Sequence, residues 1–150
     1  MTTKGSKIDS IPIIVIAGPT ASGKSEFAIK LAKEINGEII NGDSRQVYKE
    51  LSIGTAKPSK KERAIVPHHL YDYISVKKDF NIYRYQKDFN KLLKSFPKQK
   101  IPILVGGSGL YIDSVIFNYE LKEEKLSKRG KEQREKLNEL SVKELQKLVF

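Results

Sequence analysis

Two short stretches of the chain are apolar without interruption, Ile11–Ala17 (IPIIVIA) and Ile101–Val105 (IPILV). Both are β-branched, and both run into glycine: Gly18-Pro19 after the first, Gly106-Gly107-Ser108-Gly109 after the second. A run with no polar alternation predicts a strand buried on both faces, as in a parallel sheet. Between them the period changes to that of a helix. Lys24 to Ile35 places Phe27, Leu31, Ala32 and Ile35 on one side, and Asn36-Gly37, which tolerate the left-handed cap, end it. Glu38-Ile39-Ile40 predicts a short second strand running into Asn41-Gly42-Asp43-Ser44. Strand, helix and strand within about thirty residues make a βαβ unit with a right-handed crossover.

Farther along, Asn81 to Phe96 predicts an amphipathic helix whose Ile82, Tyr85, Phe89, Leu92, Leu93 and Phe96 align as a core stripe, with Pro97 as its stop. Leu110 to Phe117 predicts another helix. Residues 52–80 give no clear period, because Gly54, Pro58 and Pro67 break any long element. The polar first ten residues read as a frayed leader. From Lys122 the chain is highly charged and helical, and Ser141-Val142-Lys143-Glu144 is a capping box for its last piece. Phe150 falls in the middle of an apolar-periodic pattern. The division expected is an α/β core over residues 1–120 and a helical segment over residues 121–150.

Composition narrows the class. At 150 residues and 39% hydrophobic, the chain can bury one sizeable core. With no cysteine, a disulfide scaffold, a Cys-ligated zinc site and a cysteine nucleophile are excluded. The longest apolar run is too short to span a bilayer and lacks the flanks of a secretory signal, so a soluble cytoplasmic protein is expected. Charge adds more through its placement than its total. Of the net +10, residues 57–100 carry 12 basic and 4 acidic side chains, a local surplus of +8. Such a field suits a polyanion such as nucleic acid, although solvated lysine-rich helix faces are the plainer reading.

The chemistry-bearing motif is Gly18-Pro19-Thr20-Ala21-Ser22-Gly23-Lys24-Ser25, which fits G-x-x-x-x-G-K-[ST]. Its glycines let the backbone curl so that N–H groups point at phosphate oxygens, at a helix N-terminus whose dipole favours anions. Lys24 reaches the terminal phosphates and the Ser25 hydroxyl takes a Mg²⁺ position. A chance match arises in roughly one chain in a hundred of this composition, and the strand before and helix after sharpen the signal. The plain alternative is a glycine turn with an exposed lysine. Two features separate the chain from an ordinary nucleotidase. The second buried strand ends in Gly106, where a Walker-B aspartate would stand, and no guanine-type base pocket is present. Instead, Asp43 lies just past the neighbouring strand, at the sheet edge where ligands bind. It either caps the following turn or faces the crevice as metal support or general base.

With these residues in view, further blocks fall into place. Asp43-Ser44-Arg45-Gln46-Val47-Tyr48, Ile53-Gly54-Thr55-Ala56-Lys57-Pro58, His68-His69-Leu70 and Gly106-Gly107-Ser108-Gly109-Leu110-Tyr111 follow the Gly18–Ser25 loop in order. In sequence and spacing they closely resemble the tRNA dimethylallyltransferase family, over about Ile13 to Phe117. The resemblance implies a P-loop NTPase-like three-layer α/β fold with a central parallel sheet, followed by the start of a helical inserted domain. It implies transfer of a dimethylallyl group from dimethylallyl diphosphate to N6 of adenosine 37, in tRNA bearing A36-A37, with Mg²⁺ as cofactor. Asp43 takes the family's general-base role, and Lys24, Ser25 and the loop amides the diphosphate. Ser44 and Gln46 match positions that hold the target adenine, and Arg45 lies at a variable one. Thr55, Ala56 and Lys57 are expected along the same crevice, with Lys57 near the tRNA backbone or simply on a surface loop. Ser108 is expected at the diphosphate or nucleotide.

His68 and His69 look like a metal pair, but adjacent side chains diverge and no further ligand sits at spacing, so a structural or RNA-facing role is expected. Tyr111 is either a base-stacking ring or helix core. Members of the family are about twice this length and mostly monomeric. The resemblance therefore implies that an anticodon-gripping domain, an assisting arginine and closing helices belong to a C-terminal half. The chain reads as a fragment, half of a split enzyme or a remnant. Two other functions remain in view: a small-molecule P-loop kinase using ATP, and a non-catalytic nucleotide- or tRNA-binding fragment.

Overall fold

The computed structural model describes residues 11–122 and 128–149. The polar leader over residues 1–10, the segment 123–127 and Phe150 lie outside the described residues. The strands are β1 (Ile14–Ala17), β2 (Gly37–Asn41), β3 (His68–His69) and β4 (Ile101–Gly106). They form one parallel sheet in the order β1-β4-β2-β3. The helices of this unit are α1 (Lys24–Glu34), α2 (Lys60–Arg63), α3 (Ile82–Lys94) and α4 (Gly109–Ile116). The chain divides into two compact units, Met1–Glu120 and Leu121–Phe150. The second holds α5 (Lys128–Asn138) and α6 (Val142–Val149), and the Ser141 capping box is formed: Ser141 N–H donates to Glu144 Oε2 at 2.8 Å. Among the described residues no helix is long and apolar enough to cross a membrane.

Strand alternation builds three layers. On the two central strands, Ile39 and Ile103 point to the α1 side, where they join Ala28, Ile29, Ala32 and Val105. Ile40 and Leu104 point the other way, to Tyr85, Phe89 and Phe96 of the α3 side and Ile112 of α4. Ile39, Ile40, Ile103 and Leu104 are all at most 1% exposed, and burying each such side chain stabilises the fold by about 1.5–3 kcal/mol. The α3 stripe is core as the period predicts, and Asn81 Oδ1 caps the helix by accepting from Arg84 N–H at 3.0 Å.

Two expectations are corrected. The run Ile11–Ala17 is not a buried strand: it narrows to β1 at the edge of the described sheet, and Val15 is 38% exposed. Of the run, Ile14 and Ile16 pack toward α1 and Ile13 toward the α3 side, while Val15 is left open at the sheet edge. Likewise Phe27 is exposed, because α1 lies mainly over β2 and β4 and buries the small residues Ala28 and Ala32 with Ile29.

The segment without a clear period, residues 52–80, holds two elements too short for periodicity to reveal: four-residue α2 and two-residue β3. Ser59 and Glu62 form a reciprocal capping box on α2, at 2.7 and 3.2 Å. What closes the segment is a charge cluster. Lys57 Nζ donates to the Tyr48 carbonyl at 2.7 Å and to Asp72 Oδ1 at 2.5 Å, and Arg63 Nη1 meets Asp72 Oδ2 at 2.5 Å. The Lys57 side chain is only 4% exposed. An ammonium so placed is tied into the fold, which corrects the alternative that Lys57 lies simply on a surface loop.

Burial pushes the Asp72 carboxyl up, but Lys57 and Arg63 outweigh it and hold it below the ordinary aspartate value. A folded pKa below the unfolded one means stability present above about pH 4 and lost as pH falls through the folded value. Lys57→Met is therefore expected to cost about 3 kcal/mol at neutral pH, read as a lower urea midpoint, with the difference from wild type shrinking below about pH 4. An unchanged midpoint would show the cluster to be dispensable.

Candidate active site

All four strands end at the same edge of the sheet, and the loop following each contributes a wall to one cavity of about 250 Å³. The loop after β1 brings Thr20 through Gly23, and the first turn of α1 brings Lys24, Ser25 and Glu26. From the loop after β4 come Gly106 and Gly107, and from that after β2 come Asp43, Gln46, Thr55, Ala56 and Glu62. The turn after β3 brings Tyr71. Ligand sites of open α/β sheets lie at this edge for the same reason: strand carboxyl ends converge while the loops remain free to vary.

Local sequence shapes each wall. Gly23 has φ +82°, a left-handed conformation that glycine adopts without strain, and it stands at the N-cap of α1 with no side-chain cap. The first N–H groups of α1 therefore have no intrahelical acceptor and present a positive end to the cavity. Ala21, with φ +63°, carries strain inside the same loop. Lys24 Nζ turns back on its own loop, donating to the Pro19 carbonyl and lying 3.4 Å from Ser22 Oγ. Gly18 and Pro19 line an adjoining hollow with Gly109 and Ile112 instead of the main cavity.

On the opposite wall, Asp43 is held by its backbone while one carboxylate oxygen stays available. Arg45 N–H donates to Asp43 Oδ1 at 2.8 Å, so the turn is capped as well as aimed into the crevice. Asp43 Oδ2 lies 3.9 Å from where a Cβ on Gly107 would sit, a point itself 3.2 Å from the Gly18 carbonyl. The loops after β1, β2 and β4 thus meet around this oxygen. Their approach depends on Gly106, where a Cβ would stand 2.2 Å from the Gly42 carbonyl oxygen. No other residue fits there.

The remaining expected residues divide. Gln46 lines the cavity and its amide donates to the carbonyls of Thr55 at 2.9 Å and Ala56 at 3.3 Å, while Thr55 Oγ1 donates to the Leu51 carbonyl at 3.0 Å. Ser44 and Ser108 are bonded to each other behind the wall: Ser44 N–H donates to Ser108 Oγ at 3.0 Å, and the two hydroxyls are 3.2 Å apart. The histidines serve the framework. His68 Nδ1 is 2.8 Å from the Val66 carbonyl, and His69 Nε2 is 2.7 Å from buried Glu38 with its ring on Phe96. Tyr111 packs its ring 4.6 Å from that of Tyr85, as helix core.

Three residues escaped the sequence reading. Glu62 joins the cavity wall through α2. Fully buried Asn41 accepts from Asp43 N–H at 2.9 Å and donates to the carbonyls of Asp43 at 3.1 Å and Leu70 at 3.0 Å. Tyr71, between Leu70 and Asp72 with φ values of +61° and +50°, reaches the cavity from the core. Of these, only Asn41 left a signal, a polar residue closing an apolar strand.

Of the charged residues along this cavity, Glu26 is paired with Lys30 at 2.8 Å and Glu62 accepts from Ser59 N–H at 2.7 Å, which leaves Asp43 and Lys24. An anion placed here needs the helix N-terminus, Lys24 and a further cation together.

The comparisons with known proteins agree with this geometry. A sequence profile of the IPP transferase family matches residues 46–149. The tRNA dimethylallyltransferase of Staphylococcus aureus (strain JH9) is 51% identical over 113 residues, covering 75% of this chain and 36% of that protein. The chain thus spans about a third of the length of such curated relatives. Among solved structures, the full-length tRNA isopentenylpyrophosphate transferase of Bacillus halodurans superposes with TM-score 0.72 at 35% identity, over 93% of this chain and 47% of that one. A eukaryotic dimethylallyltransferase acting on tRNA gives TM-score 0.69 at 38% identity, over 80% of this chain and 31% of that one. A parallel sheet whose strand ends gather the Thr20–Ser25 loop and Asp43 around one cavity accompanies a family match running from Gln46 to Val149, and this chain belongs to the IPP transferase family.

Proposed function

We propose that this cavity binds the diphosphate of dimethylallyl diphosphate and that the chain takes part in transferring the dimethylallyl group to N6 of adenosine 37 in tRNA. The observation that carries the reading is the convergence of the Thr20–Ser25 loop and Asp43 on one cavity. A purine exocyclic amine is a weak nucleophile, because its lone pair is delocalised into the ring. As N6 bonds to the allylic carbon, the carbon–oxygen bond breaks, its electrons leave with diphosphate, and the N6 proton passes to the Asp43 carboxylate. The α1 N-terminus and Lys24 stabilise the charge that grows on the departing diphosphate. A P-loop serves here without ATP hydrolysis, because diphosphate is the leaving group.

The Ser25 hydroxyl at the start of α1, on the cavity wall, suits a hard divalent cation such as Mg²⁺, held through few protein oxygens together with phosphate. Ser25 would supply a protein oxygen to such an ion, which when bound would neutralise charge on the diphosphate. Gln46 is at hand for the adenine, with its amide oxygen unused by the loop. tRNA has a natural landing face on α3: Arg84, Lys87, Lys91 and Lys94 recur every three or four residues and all four are exposed. Together with Lys60, Lys61, Lys77, Lys78 and Lys98, they keep most of the +8 surplus at the surface after Lys57 and Arg63 are taken up by Asp72.

Two substitutions separate the roles. Asp43→Ala is expected to abolish label transfer from dimethylallyl diphosphate to tRNA, by two orders of magnitude or more for a lost general base, while leaving diphosphate affinity near wild type. Lys24→Ala is expected to weaken diphosphate binding itself, by roughly tenfold or more for a lost charge-assisted contact. Calorimetry and a transfer assay, with the downstream half of a relative supplied in trans where needed, read both. An active Asp43→Ala protein removes the base from the mechanism, and full affinity in Lys24→Ala removes the loop. For tRNA, the affinity should fall with salt at a log–log slope near −0.9 for each phosphate contacted by the basic face, and a flat response would mean that face is only solvated.

A further inference from the structure

The turn after β3 places one polar group in the cavity that the proposed chemistry does not use. Tyr71 is only 9% exposed, and its ring lies in the core with Ala28, Ile29, Ala32 and Val66, edge-on to His68 at 5.4 Å. Its hydroxyl makes no hydrogen bond among the described residues. Yet no fully buried side-chain nitrogen or oxygen among them lacks a partner. The hydroxyl is therefore not sealed in the core; Tyr71 lines the cavity with Lys24, Ser25 and Asp43, and the Asp43 carboxylate acts on its phenol. With no acceptor inside the protein, its O–H is left free to donate to a ligand in the cavity.

The backbone is set for this placement. Leu70 and Asp72, which flank Tyr71, both occupy left-handed conformations; this is strained for Leu70 and tolerated by Asp72. The strain is held in place from both sides: Asn41 Nδ2 grips the Leu70 carbonyl at 3.0 Å, and Lys57 and Arg63 grip the Asp72 carboxylate. A tyrosine merely filling the core needs neither grip, and phenylalanine would fill it as well.

We propose that Tyr71 is a diphosphate-binding residue whose hydroxyl donates a hydrogen bond to a phosphoryl oxygen of the ligand seated on the Thr20–Ser25 loop. This rests on the reading of the cavity as a diphosphate site. Tyr71 has no role in proton transfer. Burial, and then the neighbouring Asp43 carboxylate, push its pKa well up, so the phenol stays protonated and remains a donor.

The test is calorimetric titration of the chain, in Mg²⁺, with inorganic diphosphate and with dimethylallyl diphosphate. Tyr71→Phe keeps the ring and removes the donor, and thermal unfolding confirms that it folds. It is expected to weaken both ligands alike, by roughly tenfold, the order expected of a hydrogen bond to a charged acceptor. A second protein carrying 4-aminophenylalanine at position 71 restores a donor at the same place and should recover most of the affinity. Unchanged affinity in Tyr71→Phe overturns the assignment. So does a loss confined to dimethylallyl diphosphate, which would place the residue against the hydrocarbon, or a loss that the amino analogue fails to rescue. If wild type binds neither ligand, the parent reading of the cavity falls, and this assignment falls with it.

Discussion

The site depends on one buried amide. Asn41 ends β2, the strand between β4 and β3, and no water reaches it. Its side chain accepts from the Asp43 backbone, donates back to it and donates to Leu70, and its own carbonyl accepts from the Tyr85 hydroxyl at 2.7 Å. Each of these bonds replaces one that water would otherwise make, and losing any of them would strand a polar group in the core. The result is that the loop bearing Asp43, the turn bearing Tyr71 and the core helix α3 cannot move independently. The geometry of the cavity wall at the sheet edge is thereby referred to the buried core.

Around that amide, the division of labour between charges is clear. Basic residues in the middle of the chain have two fates. Lys57 and Arg63 turn inward to close an irregular segment around Asp72, whereas the α3 row and the other exposed lysines stay available to a polyanion. The cavity itself sets the Asp43 carboxylate on one wall and the Lys24 ammonium with the α1 N-terminus on the other.

Much of this was legible in the sequence because its signals are local. A glycine-framed loop between strand and helix, an unbroken apolar strand and a 3.6-residue stripe each declare themselves within a dozen residues, and Thr20–Ser25, Asp43, Gln46 and Thr55 do share one cavity. What stayed hidden is non-local. Whether β1 is central or at an edge depends on strand order, which the apolar run does not encode. Lys57 looks like any surface lysine until Asp72, fifteen residues on, folds beneath it. Tyr71 sits in a segment whose two elements have four and two residues, too few for a period. Ser44 and Ser108 illustrate the converse: both stand at the right edge, but they bond to each other across 64 positions.

The central claim is that the cavity is built for an allylic diphosphate and not for a nucleoside triphosphate. Equilibrium competition on this 150-residue chain tests it most directly, with labelled dimethylallyl diphosphate in Mg²⁺ displaced by unlabelled inorganic diphosphate or by ATP. The account predicts that the labelled compound binds, that inorganic diphosphate displaces it, and that ATP does so at least roughly tenfold less well, a difference of about 1.4 kcal/mol. Tight binding of ATP with no affinity for dimethylallyl diphosphate would contradict it and make the cavity that of a kinase.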